Sequence, residues 1–152
     1  MDVRPVPADA EVARLLLADY LDEIEQRLGG PFDRSRYPDA DPAELSPPRG
    51  LLLVAFAGAS PVGCGAVRVI APGVAELKRM YVAPQARGRG LGRTLLEALE
   101  RGAVELGCDT ARLDTMGAMA EAGALYRSAG YTPIADYNRN PLATVWMERR
   151  LS

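Results

Sequence analysis

The chain has 152 residues, of which 48% are hydrophobic and 25% charged, and its formal net charge is −2. That length fits one domain spanning 1–152, and the composition is that of an ordinary globular protein. The slight negative charge argues against nucleic acid as a partner, and the absence of histidine removes the commonest general base, the histidine triads and most zinc sites, so no metal is expected. No apolar run approaches the roughly 20 residues that cross a bilayer, and no basic segment followed by an apolar stretch opens the chain. A cytoplasmic location with no membrane partner is the expectation. Cys64 and Cys108 lack metal-ligand spacing and read as reduced core thiols.

Taken in order, Asp2 to Val6 reads as a short edge strand between prolines. Asp9 is a plausible N-cap, and Val12, Leu15, Leu16, Tyr20, Ile24 and Leu28 trace a helical stripe that Gly29-Gly30-Pro31 ends. Asp19, Asp22, Glu23 and Glu25 cluster on this helix; they read either as its solvated face or as an electrostatic lure for a cationic substrate. Residues 31–50 hold five prolines without periodicity, which makes a long loop whose sizeable apolar groups are Phe32, Tyr37 and Leu45. Leu51–Phe56, Val62–Ile70 and Val74–Val82 form a meander of three strands. Leu91, Leu95, Leu99 and Leu106 mark the next helix, on which Arg93, Glu97 and Arg101 are spaced for i,i+4 pairing, and Gly107 stops it. A strand at Ala111–Thr115, an alanine-rich helix at Ala118–Ala129 and strands at Tyr131–Ile134 and Thr144–Leu151 complete an α/β chain with a mixed sheet, in the order β-αα-βββ-α-β-α-ββ.

The stretch Gln85-Ala86-Arg87-Gly88-Arg89-Gly90-Leu91-Gly92-Arg93 lies between the third strand of the meander and this second helix. Alternating glycines let the backbone approach a ligand closely, and the first N–H groups of a helix have no partner within it. With three arginines alongside, the stretch reads as a diphosphate cradle. A Walker loop requires Gly-Lys-Ser/Thr, which is missing. A dinucleotide fingerprint is not excluded by spacing, since Asp114 answers its acidic position, but the meander upstream does not suit a doubly wound fold. Within the preceding strand, strict alternation puts Leu77 on one face and Met80 and Val82 on the other; a β-bulge near Lys78-Arg79 would turn all three inward.

Four features occur together: Leu77-Lys78-Arg79-Met80-Tyr81-Val82-Ala83-Pro84, the Gln85–Gly90 stretch, a helix and short strand, and Ala124-Leu125-Tyr126-Arg127-Ser128-Ala129-Gly130-Tyr131. Together they resemble the GNAT superfamily of N-acetyltransferases, whose signature is Gln/Arg-x-x-Gly-x-Gly/Ala, and the resemblance covers essentially the whole chain. It implies a GNAT-like acyl-CoA N-acyltransferase that moves acetyl from acetyl-CoA, as co-substrate, directly to a primary amine of a small molecule or protein. The acceptor site is expected around Tyr20–Leu28, the 31–50 loop and the Tyr137–Pro141 loop. A module of the same fold that binds acyl-CoA without turnover is the alternative. Homodimers are common among such enzymes, and a homodimer is one arrangement the resemblance allows.

By the same resemblance, Gln85, Arg87, Gly88, Arg89, Gly90, Leu91, Gly92 and Arg93 bind the pyrophosphate. Met80, Tyr81 and Val82 lie on a bulged, splayed strand whose free backbone groups bond the pantetheine arm and the thioester. Tyr126 stands where the family has a tyrosine acid for the leaving thiolate, or it is a buried aromatic. Glu76 matches a strand position of a catalytic glutamate in some members and is the first choice of base, directly or through water; it also reads as a surface carboxylate beside Lys78. Positioning of the two reactants, worth about 7–11 kcal/mol, makes a dedicated base dispensable. A covalent route through Cys64 is open chemically, although a small residue in this strand reads more simply as packing.

Overall fold

The computed structural model describes residues 1–37 and 40–151. Its elements are β1 (Asp2–Pro5), α1 (Glu11–Leu28), β2 (Gly50–Ala57), β3 (Ser60–Ala71), β4 (Val74–Val82), α2 (Leu91–Glu105), β5 (Thr110–Thr115), α3 (Ala120–Ser128), β6 (Thr132–Ile134) and β7 (Val145–Arg150). Seven strands form one sheet in the order β1-β2-β3-β4-β5-β7-β6. Pairing is antiparallel throughout except between β4 and β5, which the α2 crossover makes parallel. Among the described residues no helix is long and apolar enough to cross a membrane.

Alternation along the strands sorts the core into two faces. Leu53, Val67 and Leu77 meet Leu96, Leu99 and Ala103 of α2 and Tyr126 of α3 on one side. On the other, Val54, Phe56, Cys64 and Tyr81 meet Leu16 of α1. Glycine in β3 is what lets α2 approach: a Cβ at Gly65 would stand 2.5 Å from Leu99 Cδ1, and one at Gly63 would stand 3.1 Å from Leu95 Cδ1 and 2.8 Å from the Tyr81 carbonyl oxygen.

Three expectations need correction on this side of the chain. A single α-helix precedes the meander among the described residues, where the expected order had two, and the 31–50 stretch read as a loop carries 3-10 turns at Arg34–Arg36 and Pro42–Leu45. Proline density and local side-chain bonds explain this: Asp33 accepts from the Ser35 N–H, and Asp41 with Glu44 forms a capping box around Pro42, each favouring one tight turn over a continued helix. The α1 stripe also shifts. Ala13, Leu16 and Ile24 are the buried positions, whereas Leu15 is 59% exposed. The N-cap is Ala10, without a side-chain bond, rather than Asp9.

The decisive departure from regularity is in β4. Cys64 pairs with Tyr81 but Ala66 with Lys78, so Gly65 alone faces two residues, Arg79 and Met80. This is the expected bulge. Arg79 takes φ +56° there, a left-handed conformation costing a non-glycine residue about 1 kcal/mol. On its other edge β4 pairs with β5 only from Val74–Thr110 to Glu76–Arg112. Beyond Glu76 the two strands part, and the sheet has a gap.

A Cβ at Gly63 cannot be relieved by rotating the Tyr81 carbonyl, because Tyr81 is held in register by Cys64. Gly63→Ala is therefore expected to destabilise the fold by about 1–3 kcal/mol, read as a lower urea midpoint at unchanged slope.

Candidate active site

The gap between β4 and β5 opens into a cleft of about 410 Å³. Met80, Tyr81 and Val82 form one wall, Arg87, Gly88 and the start of α2 the floor, and Met119, Ala122, Leu125 and Tyr126 the opposite wall. Gly88 and Gly90 have φ +81° and +77°, and a Cβ at either would meet nothing within 4 Å. Gly90 caps α2 without a side-chain bond. The first backbone bond of the helix is Thr94 N–H to the Gly90 carbonyl. Among the described residues the N–H groups from Gly88 to Arg93 have no acceptor, which leaves them, with the helix dipole, for an anion.

The arginines do less here than their number suggests. Arg87 lines the cleft but turns its guanidinium to Glu23 of α1 (2.5 Å) and its Nε to the Val82 carbonyl (2.9 Å). Arg93 donates to Ser128 Oγ at 2.5 Å instead of pairing with Glu97. Arg89 and Gln85 are exposed and outside the cleft lining. Leu91 and Gly92 line it as expected. Of the sequence-derived set, the backbone of the loop, the strand edge and Arg87 and Arg93 line the cleft, with Arg87 already paired to Glu23, while Arg89 and Gln85 do not.

Most of the acidic cluster on α1 is likewise spent on ion pairs, Asp19 being the member with none among the described residues. Arg34 holds Asp22 (2.6 Å) and Glu25 (2.5 Å), and that pairing first, then the Phe32 N–H, keeps the Glu25 carboxyl below its ordinary value. Glu23 holds Arg87, while Arg27 reaches Glu121 of α3 at 3.0 Å. These last two contacts tie α1 to both sides of the cleft mouth.

A second, smaller cavity of about 50 Å³ adjoins the cleft. Met80, Met119, Ala122 and Tyr126 line both spaces. Tyr20 and Ile24 of α1, Tyr37 and Asn140 complete much of its wall, which is where the acceptor side was expected, and Asp114 from the end of β5 joins them. Tyr126 is only 5% exposed, and among the described residues its hydroxyl has no hydrogen-bond partner. Burial, with Tyr20 and Asp114 nearby, raises its pKa well above the usual phenol value. It is a protonated donor throughout the physiological range.

Glu76 does not join this group. It is 2% exposed and lines neither space. One carboxylate oxygen meets Arg68 at 3.1 Å and Lys78 at 3.6 Å; the other accepts from Tyr137 Oη at 2.7 Å and Asn138 Nδ2 at 3.1 Å. Burial by itself would raise its pKa, but Lys78, Tyr137, Arg68 and Asn138 together hold it below the ordinary carboxylate range. The readings of Glu76 as a surface carboxylate and as a base in direct contact with an amine both yield to this placement, because the alternation of β4 turns the side chain into the polar network under the sheet. Cys64 is also out of reach: it donates to the Arg79 carbonyl, and burial pushes its thiol up to about 12. Asp114 is the cavity-lining residue that sequence reasoning passed over as an acceptor group, while Asn140 comes from the Tyr137–Pro141 loop expected there. Asp114 had a signal, an acidic residue closing a strand after the cradle.

Known proteins agree with this architecture. The model of the acetyltransferase (GNAT) family matches residues 13–131. The chain is 33% identical over 143 residues to an uncharacterized N-acetyltransferase of Schizosaccharomyces pombe, covering 92% of this chain and 86% of the relative. It is 35% identical over 135 residues to the IAA acetyltransferase of Azospirillum brasilense, covering 86% and 88%. A solved Klebsiella pneumoniae structure named as an acyl-CoA N-acyltransferase is similar with a TM-score of 0.78 and 33% identity, over 99% of this chain and 97% of that one. A Staphylococcus aureus GNAT acetyltransferase shares the fold with a TM-score of 0.81 at 17% identity, over 99% of each chain.

The Glu76 network makes stability depend on pH. A carboxylate whose folded pKa is lowered contributes stability above its unfolded value, near 4.3, and loses it as pH falls through the folded value. The melting temperature is expected to fall between about pH 5 and pH 3, and Glu76→Gln to flatten that limb. At pH 7 this variant should lose about 3 kcal/mol, the lower end for removing one partner of a buried ion pair, because Arg68 keeps Glu44 at 2.8 Å. Calorimetric melting across pH reads both effects.

Proposed function

The chain belongs to the GNAT family of acetyltransferases and is an acetyl-CoA-dependent N-acetyltransferase; from that premise we propose that it transfers acetyl directly to a primary amine seated in the small cavity. One observation carries the reading: Met80 and Tyr126 line both the open cleft and the small cavity, so a donor lying in one and an acceptor lying in the other meet between them. The alternative of a binding module without turnover gives way to the family assignment.

The residues present suit the donor. The free N–H groups from Gly88 to Arg93 and the open space beside Gly88 and Gly90 suit a diphosphate. The unpaired edge of β4 at Met80–Val82 suits an extended amide-bearing arm, as an added strand would pair. Bound there, acetyl-CoA supplies an activated thioester acyl group. The chain's own work is then to orient and to manage protons. A lysine-like ammonium, with pKa about 10.4, releases one proton before it attacks and a second as the amide forms. As the C–S bond breaks, Tyr126 Oη gives its proton to the departing sulfur, and the second proton of the amine restores the phenol, so that free CoA thiol and amide leave together. Glu76, enclosed by its own partners, orders Tyr137 and Asn138 and leaves the first of those protons to solvent in the cleft.

Calorimetry is expected to show submillimolar binding of acetyl-CoA and of desulfo-CoA, weakened at least about tenfold by Gly90→Trp, a loss of about 1.4 kcal/mol; no binding of either ligand would overturn the assignment of the cleft. Tyr126→Phe should lower turnover about 10²-fold or more while acetyl-CoA affinity stays within about twofold, with free thiol release over a panel of primary amines as the readout. Unchanged turnover would remove the acid role.

A further inference from the structure

Asp114 differs from the other carboxylates around the site. It closes β5 two residues beyond Arg112, the last residue paired with β4, so it stands in the gap of the sheet and lines the small cavity. Its oxygens accept from Asn138 Nδ2 and from Asn140 Nδ2, the latter at 3.2 Å. Both amides are themselves fixed. Trp146 Nε1 donates to Asn138 Oδ1 at 2.9 Å, and the Leu142 N–H donates to Asn140 Oδ1 at 3.0 Å. Asn138 Nδ2 also bonds Glu76 at 3.1 Å, so one amide bridges the two carboxylates. Among the described residues no lysine or arginine forms an ion pair with Asp114, whereas Glu76 meets both Arg68 and Lys78. A partly buried carboxylate held by neutral amides, with about two acceptor positions left over, lacks the cation that buried charge ordinarily requires.

The cavity wall indicates what supplies it. Tyr126, buried and with its hydroxyl unpartnered among the described residues, faces the same space as Tyr20 from α1. Ile24, Leu77 and Leu142 add apolar surface beside the polar groups of Tyr37, Thr115 and Asn140, and the volume is only about 50 Å³. The acidic cluster of α1, which reads in the sequence as a lure for cations, has Asp22, Glu23 and Glu25 already paired with arginines.

We infer that Asp114 anchors the ammonium group of the acceptor, and that the acceptor is a small monocationic amine rather than a polyamine or a basic peptide. This rests on the reading of the small cavity as the acceptor site. Asn138 is a positioning residue: it aims the Asp114 carboxylate and couples it to Glu76, which gives the buried glutamate its part in the site without contact with the amine.

The test uses the full chain, titrated with n-butylammonium, 1-butanol and spermine by calorimetry, with and without saturating CoA. The wild-type protein is expected to prefer n-butylammonium to both of the others. Asp114→Asn should weaken n-butylammonium binding at least about tenfold, leaving CoA affinity and the weak binding of 1-butanol unchanged. Asn138→Ala should raise KM for n-butylamine severalfold with little change in kcat, a split that mere loss of stability does not produce. Equal binding of n-butylammonium by wild type and a folded Asp114→Asn variant would overturn the inference, as would tighter binding of spermine by the wild type. If Asp114→Asn does not fold, the wild-type comparison of n-butylammonium with 1-butanol decides, and equal affinity for the two overturns the anchor. Failure to bind CoA overturns the reading of the cleft by itself, since the ammonium titration is also made without it.

Discussion

The site exists because β4 cannot pair along its full length on both edges. Toward β3 it carries one residue too many, absorbed where Arg79 and Met80 share Gly65. Toward β5 its ladder ends at Glu76. A strand bent by a bulge twists away from its neighbour, and the opening exposes backbone groups that a continuous sheet would have used. The strain at Arg79, with its left-handed φ of +56°, is held in place because the residue is buried and hydrogen-bonds the Ala40 carbonyl at 3.4 Å. Cleft, small cavity and the passage between them all follow from that one interruption.

Around the gap, charge is divided by depth. At the surface, arginines and carboxylates of α1, the Gly-rich loop and α3 neutralise one another, as in Glu23–Arg87 and Arg27–Glu121. Such exposed pairs contribute little to stability individually, but here they join α1 to the two sides of the cleft. The backbone donors at the start of α2 remain without acceptors among the described residues and need no side-chain reorganisation. Deeper in, Glu76 is compensated by cations and Asp114 by amides. The same residue type is thereby given two different tasks, one structural and one facing the cavity.

Much of this was legible in the sequence for local reasons. Hydrophobic alternation marks the strands, glycine with prolines marks their ends, and Leu91, Leu95 and Leu99 mark the buried face of α2. The bulge was visible because Leu77, Met80 and Val82 break strict alternation, and the cradle because glycines at 88 and 90 need positive φ, which both have. The α1 stripe was less legible. A helix that packs through Ala13 and Leu16 while leaving Leu15 exposed is set by the surface beneath it, and that surface comes from distant strands.

What the sequence determined by itself, then, is the family, the order of most elements and the backbone cradle, since each depends on neighbours a few residues apart. Tertiary structure decided where the charges went. Arg87 meets a carboxylate 64 positions away, Glu76 meets Tyr137 across 61 positions, and Asp114 meets Asn138 across 24. No local pattern encodes such pairings, because whether a carboxylate is quenched, structural or open to a ligand depends on which donors the fold brings within about 3 Å of it. For Glu76 and Asp114, that selection separated a buried ion pair from a carboxylate that lines the small cavity.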